Sequence, residues 1–199
     1  MPNLLYSFLV LIVCTCQLAL AQGVTPGTDF KTKEPRQKEL VIEYVYSFRE
    51  FEYDPPIQLK PFKSSTEASN ASPEAAVMSH FSAMYAKDYQ WFQSTWSKES
   101  QKLNEEHDKK QDRTPEFWLN LWDKVLSAKR VELTHRIESG KYVLIRYRLV
   151  PISGGPATFE DLLALTIENG RWILTQELAS DPLLRYWNAK ELRIRRTIR

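Results

Sequence analysis

Cysteine is confined to Cys14 and Cys16, and no thiol follows them. This excludes a Cys nucleophile, a thiolate metal site and a disulfide framework from the rest of the chain, so its fold must be held by core burial alone. Histidine is almost as scarce: His80, His107 and His135 stand at no ligand spacing, and no metal site is expected. Six glycines form no phosphate-cradling loop, since Gly154 and Gly155 lie in a plain connection between Pro151 and Pro156. No cofactor is expected. Net charge is nearly absent too, at +2 from 27 basic and 25 acidic residues, which argues against a polyanionic partner and against nucleic acid.

A membrane-length apolar run is also missing. Leu4 to Val13, broken at Ser7, falls short of the roughly 20 residues of a span. It leads to Ala19-Leu20-Ala21, a small-x-small cleavage signature, although no Lys or Arg precedes the run. We read residues 1–21 as a secretory signal peptide, which makes the protein exported, periplasmic or secreted. Removing it leaves 178 of the 199 residues, enough for one domain that buries about 70% of its unfolded surface. Base is concentrated at the end of the chain, where residues 185–199 carry +5 and the remainder carries −3. Residues 188–199 read as a basic tail whose Arg193, Arg195, Arg196 and Arg199 would touch anionic surfaces through charge.

Residues 22–38 have no apolar periodicity and read as a flexible lead-in. The stretch 40–53 is rich in Val, Ile, Tyr and Phe, and predicts a strand with Leu40, Ile42, Tyr44, Tyr46 and Phe48 on one face. The Pro- and Ser-rich segment from Asp54 to Ser72 predicts a linker. Its Asn70-Ala71-Ser72 sequon is followed by Pro73 and reads as chance.

Ser72-Pro73-Glu74 opens a helix with a capping hydroxyl, Pro at the first position and an acid in the first turn. Val77, Phe81, Met84 and Tyr85 give it one apolar face. Asp88 caps a second, short helix carrying Trp91, Phe92 and Trp96, and residues 104–113 read as a solvated connection. Thr114-Pro115-Glu116 starts a third helix with an apolar stripe of Phe117, Trp118, Leu121, Trp122, Val125 and Leu126.

Two hairpins follow. A three-residue loop at Glu138-Ser139-Gly140 pairs His135 with Val143, Leu133 with Ile145 and Val131 with Tyr147, which segregates core from charge better than a turn at Ser139-Gly140. An Asn169-Gly170 turn pairs Ile167 with Trp172, Leu165 with Leu174 and Leu163 with Gln176. A three-residue loop there would send Trp172 to the other face. The expected inward face then holds His135, Ile137, Tyr147, Trp172 and Gln176 among aliphatic residues. Glu132, Glu160, Glu168, Glu177, Arg146 and Arg148 fall on the opposite one.

Three helices followed by an antiparallel meander ending in Asn169-Gly170-Arg171-Trp172 resemble the nuclear transport factor 2-like (NTF2-like, SnoaL-like) superfamily over residues 72–187. The resemblance implies an α+β fold with a cone-like curved sheet, here with an extra N-terminal strand that shares residues 39–71 with the Pro- and Ser-rich linker. That family includes isomerases, cyclases, dehydratases and non-catalytic binding or assembly modules, often paired through exposed sheet faces, so a homodimer is among its implications. From the inward residues we expect a non-catalytic module with an apolar pocket lined by Tyr85, Trp118, Trp122, His135, Tyr147, Trp172 and Gln176. It would take a small apolar or amphipathic molecule or a protein partner. The alternatives are a lyase or isomerase with His135 as base and Tyr147 as hydrogen-bond donor, and an interaction protein that works through its basic tail.

Overall fold

The computed structural model describes residues 46–187. The segments read as signal peptide and lead-in, Leu40, Ile42 and Tyr44, and the tail arginines Arg193, Arg195, Arg196 and Arg199 lie outside them. The described fold is α+β. Strands β1 (Arg49–Gln58), β2 (Lys129–Ser139), β3 (Tyr142–Pro151), β4 (Phe159–Glu168) and β5 (Arg171–Leu174) form one antiparallel sheet in chain order, curved and unclosed. Helices α1 (Pro73–Tyr85), α2 (Tyr89–Ser94), α3 (Lys98–Lys110) and α4 (Pro115–Leu126) intervene between β1 and β2, and α5 (Pro182–Tyr186) follows β5.

The cap chemistry places the helices. Ser72 accepts from the Ala75 N–H at 3.1 Å, Asp88 from Trp91 at 2.9 Å and Thr114 from Phe117 at 3.4 Å, each relieving an orphan donor of a first turn. The solvated connection expected over 104–113 is instead mostly helix α3. Ser97 caps it, Glu99 sits in its first turn, and His107, Lys109 and Lys110 sit in its last. That charge order suits the helix dipole, and the residues are good helix formers, so the segment folds without an apolar stripe. The stripe of α4 is narrower than expected: Trp122 and Leu126 are buried, whereas Phe117 and Leu121 are exposed.

The N-terminal strand is also displaced. Tyr46 and Phe48 precede it and are exposed, and it runs through Pro55 and Pro56, which were expected in a linker. An edge strand tolerates proline because its outer N–H groups need no ladder partner. The pairing of β1 with β2 slips between Glu52 and Ile57, where the prolines sit.

The β2–β3 hairpin turns at Gly140-Lys141, so Ser139 faces Tyr142, Ile137 faces Leu144 and His135 faces Arg146. Neither register weighed from the sequence occurs. A bulge at Thr134 then shifts the ladder by one residue, and Leu133 faces Tyr147. One extra residue reverses which face each later side chain takes. Leu133 therefore points at the helices, whereas Ile137 points away from them, and Arg136 turns toward α1. The β4–β5 hairpin has the expected register, with Ile167 opposite Trp172 and Leu165 opposite Leu174. Asn169 and Gly170 both take positive φ there, as an Asn-Gly turn requires. Ile167, at the end of this short ladder, is exposed rather than inward, and Gln176 lies past β5.

Three clusters carry the burial. Val77 and Phe81 of α1 pack with Val131, Leu133, Ile145, Leu165 and Leu174 of the sheet. On the sheet's outer face, Ile137, Leu144 and Ala164 are covered by Leu178, Leu183 and Trp187. Between helices, Ala83 packs with Trp91, Phe92 and Trp122. Each fully buried large side chain contributes about 1.5–3 kcal/mol. The rest of the outer face carries the expected charges: Glu132 pairs with Arg130 at 2.7 Å and with Arg148 at 2.8 Å, and Arg146 pairs with Glu160. Beyond the reach of β5, the rim of β4 is capped from within its own strand. The Asp161 carboxylate accepts the Leu162 N–H at 2.8 Å.

Candidate functional site: a hydroxyl-lined cleft beside the last hairpin

A cleft among the described residues differs from the apolar pocket expected. It has a volume of about 570 Å³ and is built by four separate segments. The serine-rich loop contributes Ser65 and residues 68–71, α1 contributes Ser79, α2 and its cap contribute Trp91, Ser94 and Thr95, and the β4–β5 turn contributes Gly170 and Arg171. The loop is pinned at both ends. Phe62 donates its N–H to Ser82 Oγ at 2.9 Å, and Asn70 O accepts the Trp172 N–H at 3.0 Å. Trp172 thus closes the core behind the turn while its neighbour Arg171 walls the cleft.

Three nearly buried side chains line the deep end. The Trp91 indole donates to Ser79 Oγ at 3.0 Å. Thr95 donates its hydroxyl to Phe92 O at 2.7 Å, so the 2.8 Å contact with His80 is a bond from Nδ1–H to Thr95 Oγ1. A histidine touching a threonine hydroxyl invites comparison with a base and its nucleophile. The environment opposes it. Burial among Phe81, Phe92 and Trp96 pushes the His80 imidazole down to about 3, and the Thr95 proton is committed to a carbonyl. The cleft's one formal charge is Arg171, which makes no ion pair among the described residues although Glu168 is its cross-strand partner.

The residues expected to share a pocket are dispersed. Tyr147 and Trp172 pack against the helix-side core, with the Tyr147 ring 4.9 Å from Phe81. Burial, with the charge of Asp161, raises the Tyr147 phenol well above its usual range and keeps it neutral. Tyr85 joins the same core and donates to Lys129 O at 3.0 Å. Trp122 packs on Phe92 at 4.7 Å, and Trp118 donates to the buried Asp108 at 2.9 Å. Tyr85 and Trp122 do border a small depression of about 110 Å³. Gln176 is bonded to Asn104 of α3. His135 lies on the outer face, 5.6 Å from the Trp187 ring and with Nε2 3.7 Å from Glu50. The bulge at Thr134 put it there, and it removes His135 from the side that holds Tyr147.

A second cluster escaped the sequence reading. Tyr53 donates to Glu74, which also meets Arg136 at 3.2 Å, and Arg136 meets Glu138 at 2.8 Å. Burial acts to raise the Glu74 carboxyl, but hydrogen bonds from the Tyr53 hydroxyl, the backbone and Ser72, with the charge of Arg136, outweigh it and hold the group below its ordinary range. Burial and the bond to Glu74 push the Tyr53 phenol up. Neither cavity includes these residues. Glu138 also pairs with Arg49, and the cluster clasps α1 to β1 and β2.

No family model, curated protein or solved structure matches the chain.

Proposed function

We propose that this is an exported, non-catalytic binding module of NTF2-like architecture that takes a small polar ligand in the cleft beside the β4–β5 turn. The composition of the cleft carries the reading. Hydroxyls, an amide, an indole edge and one guanidinium surround about 570 Å³, a volume suited to small ligands. Proton transfer near neutrality calls for a group that titrates there. The buried imidazole behind Thr95 does not. The acid–base pair drawn from the sequence, His135 with Tyr147, is divided by the sheet, which removes support for a lyase or isomerase.

Ligand screening by ¹H–¹⁵N NMR tests this reading. Small polyols and hydroxy acids should shift the Trp91 indole and the Arg171 and Gly170 amides while leaving Trp122 and Trp187 unmoved. A library that perturbs none of the cleft signals, or a compound turned over by the protein, removes the reading.

A further inference from the structure

Resting on that reading of the cleft, we infer that its ligand is a sugar acid, a polyhydroxylated molecule with a single carboxylate that Arg171 receives. No acidic side chain lines the cleft, so Arg171 gives it a positive field that a neutral polyol does not use. A lone guanidinium matches one carboxylate, with two parallel N–H donors against two oxygens. A phosphate dianion would leave charge uncompensated here.

The hydroxyl half of the ligand follows from the remaining lining. Ser65 and Ser69 offer hydroxyls that can both donate and accept, Ser94, whose proton goes to Trp91 O at 2.7 Å, can accept, and Asn70 adds an amide with both capacities. These match the alternating donor and acceptor demands of vicinal hydroxyls better than an apolar ligand, which would strand them. At the deep end, Ser79 is 2% exposed and its Oγ already accepts the Trp91 indole proton, so its own proton is the donor that remains to be used. The backbone bond between Trp172 and Asn70 ties the loop to the first residues of β5, so Asn70 and Arg171 border the same cleft.

Titration of the full mature chain with glucuronate, glucose and acetate at matched ionic strength, followed at the Trp91 indole and Gly170 amide, tests the inference. Glucuronate should bind at least about tenfold more tightly than either of the others. Arg171→Gln, at the exposed first residue of β5, should abolish that preference while leaving the fold's other signals in place. Glucose binding as well as glucuronate, acetate binding as well as glucuronate, or glucuronate binding unchanged in Arg171→Gln each overturns the sugar-acid assignment and leaves a binding cleft of other specificity. If none of the three moves a cleft signal, the assignment and the binding-module reading fall together. Arg171→Glu serves as the reversal control: retained glucuronate affinity there also overturns the assignment.

Discussion

His135 and Tyr147 are one step apart in the β2–β3 ladder, Arg146 opposite the first and Leu133 opposite the second, yet they project from opposite faces of the sheet. The bulge at Thr134 separates them. On one side Tyr147 meets Phe81, and on the other His135 lies against Trp187, over which the Arg146 guanidinium sits at 5.7 Å.

Trp187 is therefore a cover for the outer-face cluster. Trp187→Ala should cost about 3 kcal/mol in urea unfolding, the usual scale for emptying a buried aromatic site, and should speed hydrogen exchange at Ile137 and Leu144 first. A loss below about 1 kcal/mol would mean that α5 does not hold this face.

Neighbouring positions in the last hairpin should respond differently. Trp172→Ala should destabilise by about 2–4 kcal/mol, since this half-buried ring packs against the main core. Arg171→Gln should stay within about 0.5 kcal/mol of the parent, as exposed positions usually do. Chemical denaturation of both variants checks the pair, and a reversed order would place Arg171 in the core's support.

His80 predicts an acid sensitivity. Its folded value of about 3 lies below the ordinary 6.5, so between those values the unfolded chain binds the extra proton. Stability from this group is fully present above pH 6.5 and declines as pH falls toward 3, by up to about 1.4 kcal/mol per pH unit. His80→Gln should remove that slope between pH 6 and 4, whatever it costs in absolute stability. An unchanged slope would show that His80 does not remain neutral in the folded state.

Glu74 acts in a lower window. Its folded value is depressed, so its contribution is present above the ordinary carboxylate range and is lost as pH falls through the folded value. Glu74→Gln should lower the melting temperature at pH 7 and flatten its fall below about pH 4.5. Arg136→Met should produce the same loss at neutral pH, because either change opens the clasp. Retention of the parent's acid limb in both variants would exclude the clasp as its source.

What could be read from the sequence divides along local and non-local lines. Ser72, Asp88 and Thr114 mark helix starts because a cap needs only residues within one turn. Asn169-Gly170 marks its register because two positive φ values leave few other residues able to take them. The bulge at Thr134 has no such signature, and one slipped residue was enough to move His135 and Ile137 to the wrong face. Helix α3 has no apolar periodicity, the pattern by which a sequence announces a helix. The cleft was hidden for another reason. Its small polar residues come from four segments, near 65–71, at 79, at 91–95 and at 170–171, and none is distinctive until the fold brings them together.

The rim of β4 bears on how copies of this protein meet at high concentration. A free strand rim is a template that a second chain can copy, and growth by that route gives fibres. Here the Leu162 N–H that a newcomer would need is already taken by Asp161, and at the other end of the sheet Pro55 and Pro56 have no such hydrogen to offer. Strand addition is thus hindered at both places. Asp161→Ala, which frees that single amide, should make strand addition at this rim easier and raise the tendency to aggregate at high concentration.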